Sequence, residues 1–266
     1  MKRHFHKMHG LGNDFVIVDA RKEPFDVTPA LARAIADRKT GVGCDQLIVL
    51  EPSESADLRM RIWNSDGGEV QSCGNATRCV VQLTGAKRID SDGGLLEGAE
   101  IGAEVEVGMG EPRFGWDEVP LAYAMDTDAL PMAWGELAQP SALSVGNPHL
   151  VFFVQDLDAV PVEDLGPRIE NDPAFPERIN VNVAQVHRDG IQLKTWERGA
   201  GLTFACGTGA CATAVAAIRS KRTTSPVKIA MRGGPLTISW KPGEQVQMRG
   251  AATHLFEGEL DLEALQ

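Results

Sequence analysis

The chain has 266 residues, 43% hydrophobic and 24% charged, enough for a packed core in one large domain or two ordinary ones. Its formal net charge of −11 argues against a nucleic-acid or anionic-membrane partner. No apolar run approaches the roughly 20 residues of a membrane span, the start has no secretory signal, and 5 cysteines do not suit a disulfide framework, so a cytosolic protein with reduced thiols is expected.

In chain order, His4, His6 and His9 fall in a polar, partly exposed segment. It reads as a strand face rather than a metal site, because no spaced carboxylate or cysteine completes a ligand set. Gly12-Asn13 suits a tight turn before a strand over 14–20. Thr28-Pro29 opens a helix running to about Lys39, with Thr28 as its cap. Strands are expected over 47–50 and 57–63, the second with Leu58, Met60 and Ile62 on one face. After a turn at 64–68 come Cys73-Gly74 and a helix over about 75–84. Residues 98–108 alternate as one further strand. The stretch 110–120 holds two prolines and little apolar period, and marks a domain boundary near 115.

The second half begins irregularly over 123–139. Val145-Gly146-Asn147-Pro148-His149 then leads into a strand ending near 154, and 157–171 reads as an exposed helix. A hairpin over 179–196 turns at Arg188-Asp189-Gly190. Cys206 then opens a helix to about Arg219 that is apolar on nearly every side, hence buried on every side and wrapped by strands. A hairpin over 227–240, turned at Gly233-Gly234, would supply part of the wrapping.

The two halves echo each other. Trp63-Asn64 stands ten and nine residues before Cys73, as Trp196-Glu197 does before Cys206. Val42 to Val49 aligns with Val145 to Phe152. The reading is an internal duplication with a pseudo-two-fold arrangement. The fold class is α+β: two domains, 1–115 and 116–255, each of mixed and antiparallel strands around a central helix, with the active site in the cleft between.

Each Cys-Gly pair sits at a helix start, where free N–H groups and the helix dipole favour an anion and ease loss of a thiol proton. Cys44, Cys79 and Cys211 read as buried structural thiols. The Cys73–Cys79 and Cys206–Cys211 spacings do not suit zinc, so no metal is expected. Cys73 and Cys206 read best as a catalytic pair. A thiolate removes a proton from one face of a carbon and a thiol returns one to the other, inverting the centre. The N–H groups of Gly74, Asn75, Gly207 and Thr208 would stabilise charge developing on an adjacent carboxylate. No lysine stands in a setting that suggests pyridoxal phosphate, so no cofactor is expected.

The blocks Gly10-Leu11-Gly12-Asn13-Asp14-Phe15, Gly43-Cys44-Asp45-Gln46, Asn64-Ser65-Asp66-Gly67, Cys73-Gly74-Asn75, Gly146-Asn147-Pro148-His149, Glu197-Arg198-Gly199-Ala200-Gly201 and Ala205-Cys206-Gly207-Thr208-Gly209 resemble the diaminopimelate epimerase family over nearly the whole chain. The resemblance implies cofactor-independent interconversion of L,L- and meso-diaminopimelate, on the route to lysine and the bacterial cell wall. It implies a homodimer, and a C-terminal segment, 256–266, that returns to the first domain. Carried over by position, Cys73 and Cys206 are the acid/base pair and Glu197 binds the α-amino group. Asn64, Asn147, Asn180 and Arg198 hold the distal end, Asn13 and Gln46 complete the pocket, and His149 supports the reacting centre or its cysteine. Leu202 departs from the glutamate common in the family; Ser65 and Thr77 differ without evident consequence. Rival readings are a proline-racemase-type enzyme of the same fold, a non-catalytic amino-acid-binding module and a redox sensor that pairs Cys73 with Cys206.

Overall fold

A computed structural model of the protein describes residues 2–71 and 73–265; Met1, Gln266 and Ser72, which precedes the first Cys-Gly pair, lie outside the described residues. The chain divides into two units, Met1–Val107 with Gly250–Gln266, and Gly108–Arg249.

In the first unit β1 (Lys2–Gly10) pairs antiparallel with β2 (Asn13–Asp19). Helix α1 (Pro29–Ala36) follows; the Thr28 hydroxyl accepts the Leu31 N–H at 3.2 Å, and Pro29 sits where no N–H is needed. The helix carries the chain to β3 (Gln46–Glu51), which runs parallel to β2, and β4 (Leu58–Asn64) returns antiparallel to β3. Short β5 (Glu69–Val70) leads into α2 (Gly74–Thr84), and β6 (Arg88–Ser91) lies parallel to β4. The expected single strand over 98–108 is instead a hairpin, β7 (Gly94–Ile101) and β8 (Glu104–Gly108), because the two-residue alternation runs on across a tight turn. Side chains alternate between sheet faces. Val16, Val18, Leu47, Val49 and Trp63 form one core with Ala32, Ile35 and Ala36 of α1. Phe15, Ile17, Ile48, Leu50 and Ile62 are buried on the opposite face.

In the second unit a small hairpin, β9 (Ala133–Trp134) and β10 (Leu137–Ala138), precedes β11 (Ser141–Ser144), which pairs antiparallel with β12 (Pro148–Val154). Helix α3 (Val162–Glu170) leads to β13 (Asn180–His187), parallel to β12. The expected exposure of this helix does not hold: Val162, Leu165 and Ile169 pack with Leu150, Phe152, Val181 and Val183, so only its outer face meets solvent. β14 (Gly190–Glu197) returns antiparallel to β13, and short β15 (Gly201–Leu202) precedes α4 (Gly207–Arg219). β16 (Val227–Met231) is parallel to β14, with β17 (Gly234–Ser239) and β18 (Gln247–Gly250) antiparallel after it. Helix α4 is buried from Gly209 to Ala217 and packs against β11, β12, β13, β14, β16 and β17. Its alanines present little bulk, which lets strands approach from all sides. The last strand, β19 (Thr253–Asp261), belongs to the first unit and pairs antiparallel with β1.

The division falls at 107/108 and 249/250 rather than near 115 and 255. Residues after β8 already bond within the second unit: Met109 N–H to Val246 O, Val246 N–H to Gly110 O, and Arg113 with Ser144. No described helix is long and apolar enough to cross a membrane.

Strand pairing revises the register of the duplication. The parallel pair β2/β3 corresponds to β12/β13, with Phe15 opposite Gln46 as His149 is opposite Asn180. Leu47 pairs with Trp63 as Val181 does with Trp196. Gly12 and Gly146, at φ 91° and 96°, both stand in left-handed backbone just before β2 and β12. Gly12-Asn13, not Val42-Gly43, is therefore the counterpart of Gly146-Asn147. The Val-Gly match that suggested otherwise joins loops before different strands.

A Cβ on Gly166 of α3 would lie 2.5 Å from the Trp196 ring, which is held by a 2.7 Å bond from its Nε1 to Glu170 Oε2. An alanine in place of an exposed helical glycine stabilises by about 1 kcal/mol. Here Gly166→Ala is expected to cost about 1–3 kcal/mol by overpacking, read as a lower urea midpoint with an unchanged m-value.

Candidate active site

The revised register sorts the candidate residues into matched pairs: Asn13 with Asn147, Gln46 with Asn180, Asn64 with Glu197, Cys73 with Cys206, Gly74 with Gly207 and Asn75 with Thr208. Each set is assembled locally in the same way. Parallel strands bring their N-terminal ends to one sheet edge, the antiparallel third strand ends there, and a helix begins just beyond.

In the first unit Cys73 is the N-cap of α2, in extended backbone and without a side-chain cap bond. Its Sγ stands 3.8 Å from Asn13 Oδ1, which also accepts Asn75 Nδ2 at 3.3 Å. The other end of Asn13, Nδ2, donates to Asp45 Oδ2 at 3.0 Å. Asp45 and Asp14 share Arg38: Nη2 reaches Asp14 Oδ1 at 2.7 Å and Asp45 Oδ1 at 2.8 Å. Lys7, itself buried, donates to Asp14 and to Gly43 O. Burial alone would raise the Asp14 carboxyl, but Arg38 and Lys7 hold it well below the ordinary range. Asn75 Oδ1 accepts Arg78 Nη2 at 2.9 Å, and Arg78 is fully buried. Beside this cluster Gln46 Nε2 donates to Asn64 Oδ1 at 2.9 Å, while Gln46 Oε1 is buried without a hydrogen-bond partner.

In the second unit Cys206 is the N-cap of α4, and its Sγ accepts the Gly209 N–H at 3.3 Å. The Thr208 hydroxyl lies 3.5 Å from the same sulfur and accepts Asn147 Nδ2 at 3.3 Å. Asn147 Oδ1 is 2.9 Å from His149 Nε2, and Asn182 Nδ2 is 3.1 Å from His149 Nδ1. These bonds set the neutral tautomer with the proton on Nε2, donating to Asn147. Burial, with the nearby Arg198 charge adding, pushes the His149 pKa down to about 3. His149 is sealed from solvent and reaches the site through its bond to Asn147. Asn180 is likewise turned inward: Nδ2 donates to Pro148 O and Oδ1 accepts the Arg198 N–H, each at 2.9 Å. It holds the backbone that presents Arg198, whose Nη1 donates to Glu177 O at 2.9 Å.

The helix start does not leave Cys206 acidic. Burial pushes its thiol well above the ordinary value, and the Glu197 carboxylate adds to this; Thr208 and Gly209 oppose it only in part. Desolvation of the sulfur outweighs the donors at the helix end. Burial likewise raises Glu197, offset in part by hydrogen bonds from Thr203 and Cys206. Burial also holds Cys44 at about 11 and Cys79 at about 12, in keeping with structural thiols. None of the five cysteines is in a disulfide.

Sequence reasoning missed Asp45, Arg38, Asn182, Thr203 and Glu170. Asp45 adjoins Gln46 in the chain, a signal that was available. Glu170, on α3, accepts the Gly199 N–H at 2.8 Å and so fixes the turn after Arg198; nothing in its local sequence pointed there. Leu202, the departure from the family pattern, lies opposite Trp196 and packs against the core, so it serves packing.

Solved structures define the class of fold. A phenazine biosynthesis protein of the PhzF family from Enterococcus faecalis superposes with a TM-score of 0.72 over 98% of this chain and 100% of its own, at 14% identity. A hydroxyproline epimerase from Agrobacterium vitis, with bound trans-4-hydroxy-L-proline, gives 0.64 over 97% and 92%, also at 14%. These likenesses establish the mixed α+β fold of that class. The sequence narrows it: residues 5–115 and 141–255 match the family described as diaminopimelate epimerase. A diaminopimelate epimerase of Rhizorhabdus wittichii is 63% identical over 99% of this chain and 97% of its own length. The chain belongs to the diaminopimelate epimerase family.

Two measurements check the electrostatics. Removing the Glu197 charge lowers the Cys206 pKa, so Glu197→Gln is expected to speed iodoacetamide labelling of Cys206 severalfold at mildly alkaline pH, followed by peptide mass spectrometry. His149 has a depressed folded pKa, so its contribution to stability is full above the ordinary 6.5 and is lost as pH falls toward about 3. The unfolding free energy should therefore fall from neutral pH to about pH 4, and less steeply in His149→Gln, the slopes differing by up to about 1.4 kcal/mol per pH unit in urea titrations.

Proposed function

We propose that this protein interconverts L,L- and meso-diaminopimelate without a cofactor, with Cys73 and Cys206 as a two-base pair. The observation that carries the reading is the matched position of the two cysteines, each the N-cap of the equivalent helix in a duplicated unit. One thiolate takes the α-proton, becoming a thiol. The electron pair left on carbon spreads into the α-carboxylate, stabilised by the first-turn N–H groups of Gly74, Asn75, Gly207 and Thr208. The other thiol delivers its proton to the opposite face and becomes the thiolate, so formula and charge are conserved.

In this reading the α-ammonium of the substrate binds Glu197. That pairing cancels the negative charge that helps keep Cys206 protonated, so substrate itself eases formation of the thiolate. Arg198, Asn64 and Asn147 take the distal amino-carboxylate end, with Asn180 acting through Arg198 and His149 through Asn147. Asn13 and Gln46 complete the pocket; the buried, unpartnered Gln46 Oε1 suits an ammonium donor. The same reading places the enzyme as a cytosolic homodimer in lysine and cell-wall precursor synthesis, its oligomeric state being open to sedimentation analysis.

Proton NMR of the reduced protein in D₂O tests the proposal. L,L-diaminopimelate should lose its α-hydrogen signal as the meso isomer appears, with L-proline untouched in a parallel tube. Cys73→Ala and Cys206→Ala should each lower kcat by about 10²–10⁴-fold or more. Exchange of proline alone, or turnover undiminished in both variants, would overturn the reading.

A further inference from the structure

We propose that β1 and β19 carry a site for a divalent transition-metal ion such as Zn²⁺, formed by His4, His6 and Glu257 with His254 adjoining. In the antiparallel ladder His6 is directly opposite Glu257 and Met8 opposite His254, with an irregularity between Lys7 and Met8. Residues two apart share a strand face, so His4 and His6 project together, and the cross-strand Glu257 projects with them. A ligand atom from each of the three lies within 4.8 Å of the other two.

The spacing suits coordination. Donors about 2.0–2.2 Å from a tetrahedral Zn²⁺ stand about 3.3–3.6 Å apart. Glu257 Oε2 lies 3.5 Å from His4 Nε2 and 3.6 Å from His6 Nδ1. His254 Nε2 lies 3.1 Å from His6 Nδ1, where one ring must lend a proton to the other. An ion would replace that shared proton at His6 Nδ1, with His254 standing beside the three-ligand set. The neighbouring carboxylate on this face, Glu259, is engaged by Lys2 at 3.1 Å, which leaves the ligand role to Glu257. Two imidazoles with one carboxylate favour zinc, nickel or copper over magnesium or calcium.

The donors sit on hydrogen-bonded backbone, so little ordering is required for binding. A bound ion would tie the first strand of the chain to the last. Because β1 runs directly into the turn that carries Asn13, the tie anchors the strand that leads to that residue.

The test uses the full-length chain without a histidine tag, titrated with ZnCl₂ by calorimetry and melted with and without zinc. One ion per chain should bind outside the thiols, and saturating zinc should raise the melting temperature by several degrees. His4→Ala/His6→Ala should abolish both effects, whereas Cys73→Ser/Cys206→Ser should keep them. Glu257→Gln should weaken binding by about tenfold or more, and decides the matter if the double histidine variant folds poorly. No binding at millimolar zinc, or equal binding with and without His4 and His6, would refute the site.

Discussion

In each unit one parallel strand pair constrains everything that follows. β2 and β3 share a direction, as do β12 and β13, so residues more than thirty positions apart reach the same sheet edge. The antiparallel third strand brings its last residue to that edge, and the helix that follows starts there, with its first-turn N–H groups at that edge. Asn13, Gln46, Asn64 and Cys73 are gathered in this way, and so are Asn147, Asn180, Glu197 and Cys206. Shifting a strand's register by one residue would turn its members of these sets, such as Gln46 or Asn180, to the opposite face.

The two units use this edge differently. In the first, charge anchors the site: Lys7 and Arg38 grip Asp14 and Asp45, and Asp45 in turn orients Asn13. Buried charges are tolerable because each has a partner. In the second, the support is neutral: Asn182, His149 and Asn147 form a chain of amide and imidazole bonds ending at the Thr208 hydroxyl beside Cys206. The carboxylate lies here instead at the sulfur itself, as Glu197. A duplicated frame thus holds one cysteine against an amide and the other against an acid.

That asymmetry explains why the helix end alone does not govern the thiols. Cys206 receives a first-turn N–H and a hydroxyl, yet burial and the Glu197 charge outweigh both. A helix terminus lowers a thiol pKa where the sulfur keeps some solvation; sealed in, the same sulfur loses more from desolvation than two weak donors return.

Much of this was legible in the sequence. The cap at Thr28, the helices after Cys73 and Cys206, the all-round burial of α4 and the echo between halves follow from local rules: capping chemistry, 3.6-residue periodicity and spacing along the chain. The exact equivalence of the halves was not legible. The string Val42-Gly43 resembles Val145-Gly146, but strand pairing matches Gly12-Asn13 to Gly146-Asn147. Nor did the sequence reveal that His149 and Asn180 face inward, that Glu170 fixes the turn after Arg198, or that Glu257 and His254 stand beside His4 and His6. Residue types and local periods determine which segments form helices and strands and which side chains carry chemistry. Which of those side chains meet depends on contacts made across a hundred residues or more, and only the tertiary structure decides them, because pairing and burial are properties of neighbours in space rather than in sequence.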